Sequence, residues 1–349
     1  MGGFMNAVPA LLRTSLLLIL PFLLSTSARA ADAVADFYRG KTVTIIVGAP
    51  TGGIYDVYAR TLARHLKRHI PGNSNVIVQN APSSGSLSSV NDIYNALPQD
   101  GTVIGAPSNA APFLPLLGID QVLFDPKKIL WLGSPTGESS VFFVWHRSPV
   151  KSFDDLKAHR VIIGSNGPNA TPAFIAKAMN SVFGTDLKSI YGYPGPADVL
   201  LAMERGEVDG YAGIFWNQLK NAYGDLIKDG KIRFILQFGA SANRDLTDVP
   251  LAADLIRSPA DKELFAAVIA PLATGYPLLM GPGVPKERGD AMIKAVAATF
   301  ADKDFLDEAK RLNLAVDPLS STDLQKIIFD SYALSADLVG RLRALYNAP

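Results

Sequence analysis

The run Val43-Thr-Ile-Ile-Val47 is β-branched throughout and breaks at Gly48-Ala-Pro-Thr-Gly-Gly53. Such a run reads as a buried strand. Behind Gly53, Tyr58, Leu62, Leu66 and Ile70 recur at helical spacing, so the glycine loop precedes a helix N-terminus. A strand that breaks at glycines into an amphipathic helix points to an α/β fold with a loop whose backbone can approach a ligand. Unpaired N–H groups and the positive end of the helix dipole favour an anion there, a carboxylate or a phosphate. The alternative is a plain strand-to-helix turn. Nucleotide-binding readings fail on residue identity: Ile54-Tyr-Asp56 follows where a P-loop requires Lys and Ser or Thr, and the stretch has no G-x-G-x-x-G.

Two further loops repeat the grammar. Asn75-Val-Ile-Val-Gln79 reads as a strand that opens into Asn80-Ala-Pro-Ser-Ser-Gly-Ser86 before a helix through Val90, Ile93 and Leu97. Ser86 or Ser88 can cap that helix, and serine hydroxyls can also bind a carboxylate. Thr102 to Ala106 forms the next strand, followed by Pro107-Ser-Asn-Ala-Ala-Pro112, which contributes Ser108 and Asn109. Three parallel strands place these loops on one carboxyl edge, where α/β sheets bind ligands.

The second half of the chain repeats the pattern. Arg160-Val-Ile-Ile163 runs into Gly164-Ser-Asn-Gly-Pro-Asn169, and Thr171-Pro172 reads as an N-cap followed by a first-turn proline. Strands follow near Ser189–Tyr193, Val208–Gly213 and Arg233–Gln237. Trp216 can wall a pocket or fill the core. The chain crosses between two lobes near Trp131–Ser140 and returns over Ala273–Pro285, and lobe closure is expected about Trp131–Ser140 and Tyr276–Pro285.

Composition narrows the function classes. The 349 residues carry a formal charge of +1, with no long run of either sign, so nucleic acid is not an expected partner. Absence of cysteine removes thiol catalysis, disulfides, thiolate metal sites and the lipid-bearing cysteine of a lipoprotein. Arg13, the apolar run Leu16–Leu24 and Ala28-Arg-Ala30 have the grammar of a cleavable signal peptide over 1–30, which implies a periplasmic product. The run is shorter than the roughly 20 residues of a membrane span. His65 and His69 sit four apart on the first helix but lack the glutamate of H-E-x-x-H; they read as a solvated face rather than a metal pair. His146 and His159 follow no loop of catalytic type, and no serine stands in a G-x-S-x-G setting. Neither a cofactor nor an enzyme activity is expected.

In these features the chain resembles the Bug family of periplasmic solute receptors, the TctC-like binding components of tripartite tricarboxylate transporters. The markers are Ala49-Pro-Thr-Gly-Gly-Ile-Tyr-Asp-Val-Tyr-Ala-Arg60, Pro71-Gly-Asn73, Val78-Gln-Asn-Ala-Pro-Ser-Ser-Gly85, Gln99-Asp-Gly101, Gly192-Tyr-Pro-Gly195 and Glu204-Arg-Gly-Glu-Val-Asp-Gly210. The resemblance implies a two-lobed α/β periplasmic binding protein of type II, a Venus flytrap with its ligand cleft between the lobes. Lobe 1 would comprise 31–136 and 271–349, and lobe 2 would comprise 137–270. It further implies a monomer that grips a small carboxylate and delivers it to two integral membrane subunits. A sensor subunit that presents its ligand to a signalling protein would share the fold. Carried over by position, the first two loops offer Thr51, Gly52, Gly53, Ile54, Tyr55, Ser83, Ser84, Gly85 and Ser86, mainly through main-chain amides. The second lobe offers Ser165, Asn166, Asn169 and Thr171, with Tyr193, Asp209 and Trp216 as further candidates. Ser83 and Ser84 depart from the Met-Pro-Gly-Ala-Gly usual in that loop. Asp56 either complements the helix dipole and points away from the pocket, or accepts a hydrogen bond from the ligand.

Overall fold

The computed structural model describes residues 32–82, 86–137, 139–168, 170–239 and 241–348. The signal peptide expected over 1–30 and the candidates Ser83, Ser84, Gly85 and Asn169 lie outside the described residues.

A helix over 32–38 (α1) leads into β1 (Thr42–Val47), α2 (Ile54–Leu66), β2 (Asn75–Asn80), α3 (Leu87–Asn95) and β3 (Val103–Ala106). A 3-10 helix over Ala111–Leu117 precedes β4 (Leu130–Gly133). The chain continues through β5 (Ser140–Trp145), α4 (Asp155–Ala158), β6 (Arg160–Gly164), α5 (Thr171–Phe183), β7 (Asp186–Ile190), α6 (Pro196–Arg205) and β8 (Gly210–Phe215). Then come α7 (Trp216–Lys228), β9 (Ile232–Phe238), α8 (Pro259–Ala273), β10 (Leu278–Met280), α9 (Lys286–Ala301), α10 (Lys303–Arg311), α11 (Ser321–Ser331) and α12 (Ala336–Asn347).

These strands form two mixed five-stranded sheets, ordered β2-β1-β3-β10-β4 and β7-β6-β8-β5-β9. In each, a parallel trio is followed by one antiparallel strand, β10 in the first sheet and β5 in the second. The antiparallel strand arrives from chain that has just left the other sheet. The two orders are therefore the same, with one strand exchanged each way, which is a two-lobed α/β plan. The β-branched run supplies the centre of the first trio: Val43, Ile45 and Val47 are fully buried, and Ala59, Leu62 and Leu66 of α2 pack over them, while Tyr58 turns to a separate cluster with Tyr276 and Leu314.

The crossings are the segments 134–139 and 274–277. Leu278–Met280 is already a strand of the first sheet, so within the glycine- and proline-rich stretch 273–285 the return is made by its first few residues. The Tyr276 N–H donates to Ser134 Oγ at 3.0 Å, which ties the two crossings together. A third segment runs beside them, with Ser134 and Leu319 exchanging backbone hydrogen bonds at 3.1 and 3.0 Å and the Gly137 N–H donating to the Asp317 carbonyl.

The C-terminal helices touch both halves. The Arg343 guanidinium donates to the Leu116 carbonyl at 2.9 Å, Arg341 pairs with Asp261 of α8, and Lys177 of α5 donates to the Ala348 carbonyl at 2.6 Å. His65 and His69 face protein, not solvent. The His65 Nε2 lies 2.5 Å from Glu308 of α10, and the His69 Nε2 lies 2.7 Å from Asp302, the cap of that helix. Burial opposes ionisation of Asp302, but His69, the N–H groups of Asp304 and Phe305, and Arg68 outweigh it and bring its carboxyl down to about 2. The spacing of the two histidines is therefore that of a seam between α2 and α10.

Candidate functional site

The loops after β1, β2 and β3 converge on one edge, and side chains lock them together. Ser86 is fully buried and occupies the left-handed region at φ 66°. Its hydroxyl donates to the Gly48 carbonyl and accepts the Ser108 N–H, both at 2.8 Å, so one side chain joins all three loops. Gly48 is obligatory beneath it, since a Cβ there would lie 2.3 Å from the Ser86 oxygen. Ser86 was expected to cap its helix or to meet a ligand with its hydroxyl. The structure commits that hydroxyl to loop positioning, and α3 has no side-chain cap.

Asp56 is 2% exposed and saturated by protein donors: the Gly52 N–H at 2.8 Å, Arg60 Nε at 2.9 Å and Asn80 Nδ2 at 2.9 Å. Burial works against its ionisation, but the hydrogen bonds from Arg60, Gly52 and Asn80 prevail and hold the carboxyl below the usual range. Asp56 therefore points away from the rim and shapes the loop. Replacing it with alanine is expected to cost about 2–4 kcal/mol, since the Gly52 and Asn80 donors are stranded while half-exposed Arg60 regains water. Its contribution is complete above the unfolded value near 3.8 and is lost as pH falls through the lower folded value, so the deficit of Asp56→Ala should shrink in acid. Denaturant unfolding of both proteins across that window measures it; a deficit that stays constant with pH would contradict the assignment.

With Asp56 on the Gly52 amide and the Pro50 carbonyl on the Gly53 amide at 3.3 Å, neither glycine N–H is available to a ligand. The available donors lie one step further along. The N–H groups of Ile54, Tyr55 and Asp56, the first turn of α2, have no acceptor among the described residues, and the N-cap Gly53 supplies no side chain. Thr51 to Ile54 are exposed and form the rim. Only Gly52 of the glycine pair has a positive φ, +83°; Gly53 is extended at φ −71°. Tyr55 turns back from the rim, and its hydroxyl accepts the N–H of buried Asn109 at 3.1 Å. Burial of that hydroxyl end pushes the phenol up to about 12, against the opposing effect of the Asn109 N–H.

The second sheet presents a matching edge. Ser165 is buried, with its hydroxyl on the Gly167 carbonyl, and its backbone ties to Ile190 and Tyr193. Exposed Asn166 donates to the Pro194 carbonyl at 2.7 Å, which joins the loops after β6 and β7. The N-cap of α5 is Ala170, one residue before the Thr171 expected there. Two candidates leave the site. Asp209 precedes β8 at the opposite end of the strand and accepts the Ile162 N–H at 2.8 Å, a strand-pairing role. Trp216 is 6% exposed in the core and donates from Nε1 to Asp245 at 3.0 Å.

Capping marks this region of the molecule. The helices that follow parallel strands, α2, α5, α6 and α7, have no side-chain cap. By contrast α8, α10, α11 and α12, none of which follows such a strand, are capped by Ser258, Asp302, Ser320 and Ser335. Helices α4 and α9, away from those edges, also lack a side-chain cap, so what marks the carboxyl edges is that each helix start there is uncapped and faces the same side, an arrangement suited to holding an anion.

Two sheets with one strand exchanged each way are a two-lobed α/β fold, and solved periplasmic binding proteins share it. A TctC solute-binding protein from Polaromonas superposes with TM-score 0.67 at 17% identity, covering 87% of this chain and 99% of that one. A Rhodopseudomonas palustris protein with adipate gives 0.62 at 17% identity over 87% and 97%, and MatC of the same organism with bound malate gives 0.59 at 14% over 88% and 99%. No family model matches the chain. Among sequence relatives, a UPF0065 protein of Cupriavidus necator is 23% identical over 239 residues, 66% of this chain and 69% of its own length. Protein BugT of Bordetella pertussis is 32% identical over 117 residues, 34% of each chain. The chain is thus similar to Bug proteins over part of its sequence and to TctC and BugD solute-binding proteins in its fold.

Proposed function

We propose that the chain is an extracytoplasmic receptor that closes two lobes, 31–136 with 271–349 and 137–270, on a small carboxylate-containing solute. The observation that carries this reading is the row of three N–H groups, Ile54 to Asp56, that have no acceptor among the described residues, on a rim held by Ser86 and Asp56. Thr51 to Asp56, Ser108 and Asn109 line it on the first lobe, with main chain near Ser165, Asn166, Thr171 and Tyr193 on the second. Delivery to the two membrane subunits of a tripartite tricarboxylate transporter, export by cleavage after Ala30, and action as a monomer complete the proposal. It is supported by the malate and adipate found in structural neighbours and by the signal-like N-terminus. None of the helices among the described residues is long and apolar enough to cross a membrane.

The test is thermal unfolding of the protein from Ala31 onward with malate, adipate and a panel of mono-, di- and tricarboxylates. A ligand at 100 times its dissociation constant should stabilise the protein by about 2.7 kcal/mol. Absence of a shift with every carboxylate would overturn the reading.

A further inference from the structure

We propose that Tyr55, Tyr276 and Phe215 form an aromatic line that couples the anion-facing turn of α2 to the angle between the two sheets, with Tyr276 as the positioning residue. The ligand half of this inference rests on the receptor function above; the other half rests on geometry alone. Tyr55 contributes one of these three N–H groups, while its ring leaves the rim and meets Tyr276 edge-on at 5.0 Å and 69°. Its hydroxyl holds the third loop through the Asn109 N–H. Tyr276 is 4% exposed, stacks on Tyr58 at 4.1 Å, and meets Phe215 edge-on at 5.9 Å. Phe215 ends β8 of the second sheet, and Tyr276 lies in the crossing that feeds β10 of the first. Through its N–H, Tyr276 also holds Ser134 in the other crossing. One ring therefore touches the ligand turn, the second sheet and the hinge.

A change in the angle between the sheets bears on the Tyr276–Phe215 contact, because Phe215 belongs to the second sheet while Tyr276, in the crossing, is stacked on Tyr58 of α2 beside the first. Beside the line lies an apolar cavity of about 10 Å³, bordered by Tyr55, Tyr58, Tyr276 and Pro135 among others. An anion bound at α2 fixes the backbone of Tyr55, and the ring contacts carry that restraint to Tyr276 and Phe215.

The chain has no cysteine, so Lys67→Cys and Lys188→Cys, both exposed and one on each half, can carry spin labels for interlobe distances. Without ligand, Phe215→Leu and Tyr276→Leu should each shift the distribution toward longer distances, and the double variant should shift it no further than the larger single effect. Unchanged distributions, or fully additive shifts, would overturn the coupling. Phe215→Leu keeps apolar volume and leaves α2 untouched, so it decides the matter if Tyr276→Leu does not fold. With malate and adipate as probes, each variant should release its ligand about two- to tenfold faster, with association changed less than about twofold. Equal changes in both rates would also count against the line. A wild-type protein that binds no carboxylate refutes the receptor reading, and the ligand-free distances still decide the coupling.

Discussion

Gly275→Ala is expected to lower the thermal midpoint by about 3–8 °C, the largest stability effect of any single methyl addition considered for this chain. Two costs combine at this position. The backbone φ is +58°, where a Cβ is disfavoured by about 1–2 kcal/mol. The added Cβ would also lie 1.9 Å from the Thr136 carbonyl oxygen, which belongs to the other crossing and not to a flexible side chain. Relieving that overlap means separating segments 134–139 and 274–277, at roughly 1–3 kcal/mol for a packed site. Gly230→Ala isolates the first cost: its φ is +63°, and no atom lies within 4 Å of the new Cβ. Melting both variants beside the wild type measures the difference. Equal losses would show that the crossings are not held in contact by this glycine.

That close approach could not be read from the chain, and the reason is general. Composition showed where the chain bends but not what it bends against. The local signals were strong: the β-branched run became β1, the apolar spacing behind Gly53 became the buried face of α2, and three punctuated loops came together on one edge. Partnerships across long separations were silent. Asp56 looked like a first-turn acid, yet its role depends on Asn80, which comes from the end of β2. Ser86 looked like a cap or a ligand group, and Gly48 and Ser108 took its hydroxyl instead. His65 and His69 looked solvated because their carboxylate partners, Glu308 and Asp302, lie more than 230 residues away. Asp209 stands in a segment that carries a family marker, but the register of β8 puts it at the end of the strand away from the carboxyl edge.

The open donors lie one residue beyond the glycine pair, and that position sharpens the test of the proposed anion site. Gly53 is the N-cap of α2, and an N-cap side chain sits over the N–H groups of the first turn, which is how serine and aspartate cap helices. Its extended backbone suits any residue, and the nearest neighbour of an added Cβ, the Pro50 carbonyl at 3.3 Å, need give by only a few tenths of an ångström. Gly53→Asp should therefore fold, and it should gain a few tenths of a kcal/mol or more from self-capping and the helix dipole. Its carboxylate would take the same donors that a ligand needs and would repel an incoming anion. Loss of two charge-assisted hydrogen bonds, at about 1.5–3 kcal/mol each, weakens affinity by roughly two to four orders of magnitude. Gly53→Ala, which adds bulk without an acceptor, should fall between the variant and the wild type. Calorimetric titration with the carboxylate found by thermal screening, paired with unfolding of the unliganded proteins, separates the two effects: stability is expected to hold or rise while binding collapses. Wild-type affinity in a stable Gly53→Asp protein would remove the ligand from the first turn of α2 and place it on the donors of the second sheet's edge, at the uncapped starts of α5 and α6.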